Sequence, residues 1–152
     1  MSVPPKKPSI LKEYFEAGVT EIGFNIELFD EEKALYYMKG KGTIPRQEYF
    51  SYLKEAVKYW GNTGNVRSLL IVGLEETNSL LQGIEELCKI GVMPILSIFR
   101  PIPGTFTENI VPPSNHYLRN VYMEGTKICK EYSLHLGPDC PACQNNTLSL
   151  PF

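Results

Sequence analysis

At 152 residues the chain has the length of one domain and can bury a single core. Its composition is that of an ordinary globular protein, with 43% hydrophobic and 21% charged residues and a formal net charge of −2. Lysine and arginine are scattered rather than clustered, so the charge gives no reason to expect a nucleic-acid partner. The longest apolar stretches are too short to cross a membrane, which excludes a membrane-spanning helix.

The predicted elements alternate between helix and strand along the chain. Apolar residues at helical spacing predict five helices, at Ser9–Ala17, Asp30–Met38, Pro45–Trp60, Thr77–Gly91 and Asn115–Tyr132. Thr77 is the predicted cap of the fourth. Apolar runs predict strands at Thr20–Leu28, Arg67–Val72 and Val92–Phe99. Ser2–Val3 reads as the end of a further strand, and residues 133–152 form an irregular tail.

This alternation predicts an α/β fold, with a parallel sheet covered by helices. Right-handed crossovers bring the carboxyl ends of the strands to one edge. Those ends read GFNIE (23–27), VGLEE (72–76) and FRPIPGT (99–105), and each combines a charged side chain with a glycine in or near it. Since α/β folds bind ligands at this edge, we expect a ligand site there.

Of the three strand ends, VGLEE gives the most specific prediction. We expect Gly73 to let a ligand approach the backbone closely, and Glu75 or Glu76 to meet a polar group on that ligand. The alternative is that these acids cap the following helix near the positive end of its dipole.

The predicted strands and their helices make less than half of an eight-stranded barrel, a fold that takes about 250 residues. The chain therefore reads as the second half of a larger fold and as a single domain.

Five stretches, in this order, resemble the C-terminal half of a radical S-adenosylmethionine enzyme: GFNIELFD, KGKGTIPRQEYF, RSLLIVGLEE, ILSIFRPIPGT and GPDCPACQNN. The likeness is to the group that contains biotin synthase, hydrogenase-maturation enzymes and methylornithine synthase. It covers nearly the whole chain. It implies the C-terminal half of a (β/α) TIM-type barrel, with S-adenosylmethionine as cofactor. In the complete protein this cofactor would be cleaved reductively to a 5′-deoxyadenosyl radical.

The resemblance also implies roles for residues near the first strand end. Asn25 and Glu27 match the segment that contacts the ribose and methionine parts of the cofactor. Arg46 matches an arginine that pairs with the cofactor carboxylate. From the residues alone, Arg46 is either such a site residue or a surface residue in the first turn of a helix, where a cation is mildly disfavoured.

Further roles follow from the resemblance at the other two strand ends. Ile71 would pack on the adenine face, Gly73 would leave room for the nucleoside, and Glu76 completes the family pattern. The backbone near Phe99 would bond the adenine edge. Arg100 would face the cavity mouth and meet a substrate carboxylate or phosphate.

The chain departs from the family in two places. It has no CxxxCxxC loop, which holds the [4Fe–4S] cluster, and no Gly-Gly-Glu segment. A cluster is therefore expected only in the complete protein, and this chain alone is expected to be inactive. Cys88 and Cys129 fall on apolar helix faces and are predicted core residues. Cys140 and Cys143 have the only metal-like spacing, but two ligands make no closed site, so a tail turn packed under the barrel or a site linked to a dimer is favoured over a metal site within the chain.

Two functions remain open from the sequence. One is the cofactor-binding half of a radical enzyme that acts on a small-molecule substrate. The other is a non-catalytic half-barrel module that dimerises or docks on a partner, such as a missing N-terminal half-barrel. In either case the open sheet edges at Thr20–Leu28 and Val92–Phe99 predict association. Four cysteines with no apolar leader in MSVPPKKPS predict a reducing compartment and a cytoplasmic protein. The scattered charge and the short apolar stretches predict neither nucleic-acid nor membrane partners.

Overall fold

In a computed structural model of the chain, which describes residues 7–140, 144 and 147–149, helices alternate with three parallel strands. The helices are α1 Ser9–Glu16, α2 Glu31–Tyr37, α3 Arg46–Trp60, α4 Thr77–Lys89 and α5 Asn115–Glu131, and a short 3-10 helix, Lys41–Thr43, lies between α2 and α3. The strands are β1 Ile22–Gly23, β2 Val66–Val72 and β3 Met93–Ile98. The α/β prediction is confirmed.

The sheet has the order β1-β2-β3, so β2 lies between the other two strands. Along β2, buried residues alternate with half-buried ones. The buried face packs under helices, since α3 and α4 contact β2, and α4 also contacts β3. The opposite face of β2 carries Arg67, Leu69 and Ile71, and it is the more open side of the sheet.

The predicted first strand, Thr20–Leu28, is interrupted after Gly23. Gly23 pairs with Arg67, but Glu27 pairs with Leu70, so the first strand has one more residue than β2 between these pairs. Such an extra residue is a β-bulge, a feature common beside active sites. The prediction of a continuous strand over Thr20–Leu28 is therefore wrong.

Two polar side chains replace the ladder hydrogen bonds that the bulge removes. The Leu69 N–H donates to Asn25 Oδ1 at 3.3 Å, and the Ile26 N–H donates to the buried Ser68 Oγ at 3.1 Å. Ser68 is a polar residue within an apolar strand pattern, and this bond explains it. The side-chain carbonyl of Asn25 is thereby engaged with β2.

The tail that the sequence left irregular covers the outer edge of β3. The Gly137 N–H donates to Pro94 O at 2.9 Å, and the Leu148 N–H donates to Leu96 O at 2.7 Å. The expectation that this edge is open is therefore wrong. The outer edge of β1 pairs with no strand in the part of the chain that the structure describes. The predicted strand end at Ser2–Val3 lies outside the described residues.

Helix starts differ from the prediction at α4. Glu76, rather than Thr77, occupies the N-cap position of α4, and its side chain makes no capping hydrogen bond. By contrast, Asp30 caps α2 through a bond from the Lys33 N–H at 2.9 Å, and Ser114 caps α5. Among the described residues, no helix is long and apolar enough to span a membrane.

The prediction that Cys88 and Cys129 belong to the core is confirmed. Both side chains are buried where α4 packs on α5, and their Sγ atoms are 3.6 Å apart. The contact with the Cys129 thiol, together with burial, raises the pKa of Cys88.

Candidate functional site

The carboxyl edge of β2 and β3 holds a cavity of about 270 Å³ lined by Ile71, Ser97, Ile98, Phe99 and Arg100. Three of the predicted site residues, Ile71, Phe99 and Arg100, therefore lie together around one cavity. The Phe99 N–H donates to Val72 O at 3.0 Å and extends the sheet ladder. That N–H is engaged within the fold, whereas the Arg100 side chain is exposed at the cavity.

Glu27 lies at the adjacent end of the first strand in an unusual backbone conformation. Its φ is +65°, a left-handed value that is uncommon for a residue other than glycine. Two ladder bonds hold it there, from the Glu27 N–H to Leu69 O at 2.9 Å and from the Ile71 N–H to Glu27 O at 2.7 Å. Strained residues held by the surrounding structure cluster at functional sites.

The Glu27 carboxylate is paired with Lys41, a residue that the sequence reasoning missed. Lys41 Nζ donates to Glu27 Oε1 at 2.6 Å. The 3-10 turn that carries Lys41 packs closely on α2. The backbone of Gly42 lies so near Ala34 O that there is no room for a Cβ. The loop KGKGT, in which Lys41 stands between two glycines, was the signal that could have pointed to this pair.

Arg46 begins α3 and is buried, with a relative exposure of 7%. Its N–H donates to Glu31 Oε1 at 2.7 Å, its Nη1 donates to Ile26 O at 3.4 Å, and its guanidinium lies 5.4 Å from the centre of the Tyr49 ring. The interpretation of Arg46 as a surface residue is therefore wrong.

Two donor atoms of this guanidinium have no partner. Nε and Nη2 of Arg46 are buried and make no hydrogen bond to any residue that the structure describes. Burial lowers the pKa of Arg46, while the nearby phenol of Tyr49 and the carboxylates of Glu31, Glu75 and Asp30 act to raise it. Buried donor atoms without an acceptor are costly, and a guanidinium fork matches a carboxylate in bidentate geometry. This arrangement suits a carboxylate ligand.

The acidic pair at the end of β2 divides into two different environments. Glu75 is buried and accepts three hydrogen bonds, from the Phe29 N–H at 3.1 Å, the Asp30 N–H at 2.8 Å and Ser79 Oγ at 3.0 Å. Burial raises the pKa of Glu75, and these three donors oppose that rise. Glu76 is exposed and makes no hydrogen bond or ion pair within the described residues. Glu75 therefore joins the starts of α2 and α4.

Gly73 makes room for a proline of this chain. Its φ is +111°, and a Cβ at this position would lie 2.9 Å from Pro113 Cδ and 3.5 Å from Phe99 Cβ. Pro113 belongs to residues 100–114, which connect β3 to α5 and are called the strap below. The neighbour that the structure shows close to Gly73 is Pro113, and the approach of a ligand to this glycine stays a prediction.

The cysteine pair of the tail is only half described. Cys140 is exposed, and Cys143 lies outside the described residues. Near them, His135 Nε2 lies 2.8 Å from Asp139 Oδ1, and both of these side chains are exposed. Across the described residues, no group of three histidine, cysteine or acidic side chains has the arrangement of a metal site.

Comparison with known proteins gives one informative match. No protein-family model matches the chain. The chain is 28% identical over 116 residues to bacteriochlorophyllide c C-7(1)-hydroxylase of Chlorobaculum limnaeum, a radical S-adenosylmethionine enzyme. The match covers 76% of this chain but only 29% of the length of that relative. It supports an origin related to radical S-adenosylmethionine enzymes.

Proposed function

We propose that this chain is the S-adenosylmethionine-binding half of a radical S-adenosylmethionine enzyme, folded as the C-terminal half of a TIM-type barrel. The observation that carries the proposal is the buried guanidinium of Arg46, whose Nε and Nη2 have no hydrogen-bond partner among the described residues. The α-carboxylate of S-adenosylmethionine supplies two acceptor oxygens for these donors. A charge-assisted bidentate pair of this kind is among the stronger polar contacts in proteins.

The rest of the strand edge offers groups for the other parts of the same molecule. One oxygen of the Glu27 carboxylate pairs with Lys41, which leaves the second oxygen to accept ribose hydroxyls. Ile71 presents an apolar side chain at the cavity for the adenine face. Gly73 and Glu76 are assigned to the nucleoside by the family pattern alone, and Asn25 reaches the ligand only through its amide nitrogen.

The described residues do not fit an iron–sulfur cluster, because they contain no set of three ligating side chains. In the proposed function the [4Fe–4S] cluster, and reductive cleavage of the cofactor, belong to the complete protein. The missing N-terminal half-barrel, or a second copy of this chain, would complete the barrel around a small-molecule substrate in the cytoplasm.

A second candidate function is a non-catalytic half-barrel that associates with a partner or with itself. The observation that favours it is the outer edge of β1, which pairs with no other strand within the described part of the chain. Unpaired sheet edges favour association. Such a module needs no affinity for S-adenosylmethionine, so ligand binding separates the two functions.

Arg46→Ala is expected to weaken S-adenosylmethionine binding by about tenfold or more, the scale of a lost charged hydrogen bond. Binding of 5′-deoxyadenosine, which has no carboxylate, is expected to be unchanged. Isothermal titration calorimetry with both ligands measures the difference. The matched control is Arg119→Ala, which removes an exposed arginine from α5.

Three results of this experiment would contradict the proposal. In the first, Arg46→Ala binds both ligands as tightly as wild type. In the second, it loses both ligands equally while keeping the wild-type unfolding midpoint. In the third, the wild-type chain binds neither ligand, which favours the interaction module.

A further inference from the structure

A second cavity lies at the amino ends of β1 and β2, which is the edge of the sheet opposite the proposed site. It has a volume of about 450 Å³. Its walls come from α1, the loop between α1 and β1, the end of α3 and the loop before β2. No lining residue is common to this cavity and to the one at the carboxyl ends of β2 and β3, so the two are separate.

Three aromatic side chains line this cavity and meet there. The ring centre of Phe15 lies 5.5 Å from that of Trp60, with the ring planes at 90°, and 5.9 Å from that of Tyr59, with the planes at 44°. The ring centres of Tyr59 and Trp60 are 6.1 Å apart, with the planes at 66°. Rings inclined to one another in this way form adjoining walls rather than a flat stack. We call these three residues the aromatic corner.

A hydrogen bond holds the Trp60 ring in place. Its Nε1–H donates to Val19 O at 2.6 Å. The single polar group of the indole is therefore satisfied within the fold, and only π surface remains for a ligand. Trp60 has a relative exposure of 6%, whereas Phe15 has one of 45%. Trp60 therefore forms the inner side of the aromatic corner, and Phe15 forms its outer side.

The polar side chains beside the aromatic corner are mostly acceptors. Glu21 is the one charged side chain among the described residues that line the cavity. Its Oε1 lies 2.5 Å from Nη2 of Arg67, which does not line the cavity. The Asn65 amide nitrogen donates to Trp60 O at 3.4 Å and to Thr63 Oγ1 at 3.1 Å, so its carbonyl oxygen is the group left for a ligand. Aromatic faces are also electron-rich, and the cavity therefore suits a cation.

We propose that this cavity binds a small organic cation of the trimethylammonium class. A cation over an aromatic face is attracted by the quadrupole of the ring, and methyl groups need no hydrogen-bond partner. A primary ammonium fits less well, because its N–H groups need acceptors and the Glu21 carboxylate is already paired with Arg67. Among the exposed large hydrophobic side chains of the described residues, only Phe15 lines the cavity, which favours a free small molecule over a lipid surface.

Trp60 makes the test direct, because it is the only tryptophan in the sequence. Titration of the wild-type chain with choline is expected to give a saturable change in tryptophan fluorescence. The neutral isostere of choline, in which a tert-butyl group replaces the trimethylammonium group, has the same shape without the charge. We expect it to bind about tenfold more weakly, the scale of a partly desolvated cation–π contact. Phosphatidylcholine vesicles are expected not to sediment the chain.

Phe15→Leu keeps an apolar side chain and removes one ring of the aromatic corner. It is expected to weaken choline by about fivefold and to leave the isostere unchanged. The matched control is Phe106→Leu, which changes an exposed aromatic residue of the strap and is expected to affect neither ligand. Glu21→Gln is expected to weaken choline alone by about threefold, the scale of an exposed ion pair.

Four results would overturn the proposal. They are the absence of a saturable signal with choline, equal affinity for choline and its isostere, equal effects of Phe15→Leu and Phe106→Leu, and a Glu21→Gln variant that weakens both ligands alike. Sedimentation of the chain with phosphatidylcholine vesicles would overturn the assignment to a free small molecule.

A competition experiment keeps this site distinct from the proposed function, since S-adenosylmethionine also carries a cationic centre. Saturating choline is expected to leave the affinity for S-adenosylmethionine unchanged, and displacement would overturn the separation of the two sites. Arg46→Ala is expected to leave choline binding unchanged, because Arg46 does not line this cavity. If choline binds as expected while S-adenosylmethionine does not, the aromatic corner stands and the proposed function fails. If only S-adenosylmethionine binds, the present proposal fails alone.

Discussion

Glu75→Ala is expected to lower the free energy of unfolding by about 3 kcal/mol, because it leaves several donors without an acceptor. The Phe29 and Asp30 N–H groups and Ser79 Oγ all donate to this carboxylate. The change also removes a negative charge that stabilises the buried guanidinium of Arg46. Urea denaturation followed by circular dichroism measures the loss.

Glu76→Ala is the matched control, since it removes the neighbouring acid. Glu76 is exposed and makes no capping bond, so we expect a change within about 0.5 kcal/mol. Equal losses of unfolding free energy at the two positions would contradict the account, in which Glu75 is a buried hydrogen-bond acceptor and Glu76 is an exposed side chain.

Gly73→Ala is expected to lower the free energy of unfolding by about 2–3 kcal/mol. Alanine is strained at the positive φ of this position, and its Cβ would collide with Pro113. The glycine has φ +111°, and the new Cβ would lie 2.9 Å from Pro113 Cδ. Strand propensity alone predicts the opposite, because side chains beyond glycine are favoured in strands. Differential scanning calorimetry measures the change in unfolding temperature.

Two further variants separate the strain from the collision. Gly104 also has a positive φ, +78°, but a Cβ there would meet no atom within 4 Å, so Gly104→Ala is expected to cost only about 1 kcal/mol. Adding Pro113→Ala to Gly73→Ala is expected to recover part of the loss. If Gly73→Ala costs no more than Gly104→Ala, the contact with Pro113 does not constrain the strap.

Most of the fold was predictable because the apolar periodicity is strong. The helices α3, α4 and α5 and the strands β2 and β3 match the predicted ranges within a few residues. The prediction of the first strand was wrong because nothing in its apolar run indicates a β-bulge. Ser68 was the available signal, since a serine within a buried strand needs a partner.

The candidate site was predictable in part. The strand ends pointed to Ile71, Phe99 and Arg100, and these residues do line one cavity. The pairing of Lys41 with Glu27 and the contact of Pro113 with Gly73 join residues 14 and 40 positions apart in the sequence. Such pairings depend on how the loops pack, and although the loop KGKGT marks Lys41 as unusual, no local pattern names its partner. The burial of Arg46 was missed for the same reason.

The central claim is that Arg46 holds the carboxylate of S-adenosylmethionine, and a cycle of two ligands and two proteins tests it most directly. Calorimetry compares S-adenosylmethionine with decarboxylated S-adenosylmethionine, on the wild-type chain and on Arg46→Ala. The wild type is expected to prefer the intact ligand by about tenfold or more, the scale of a charge-assisted hydrogen bond, and the variant is expected to show no preference. Equal affinity of the wild-type chain for the two ligands would contradict the claim.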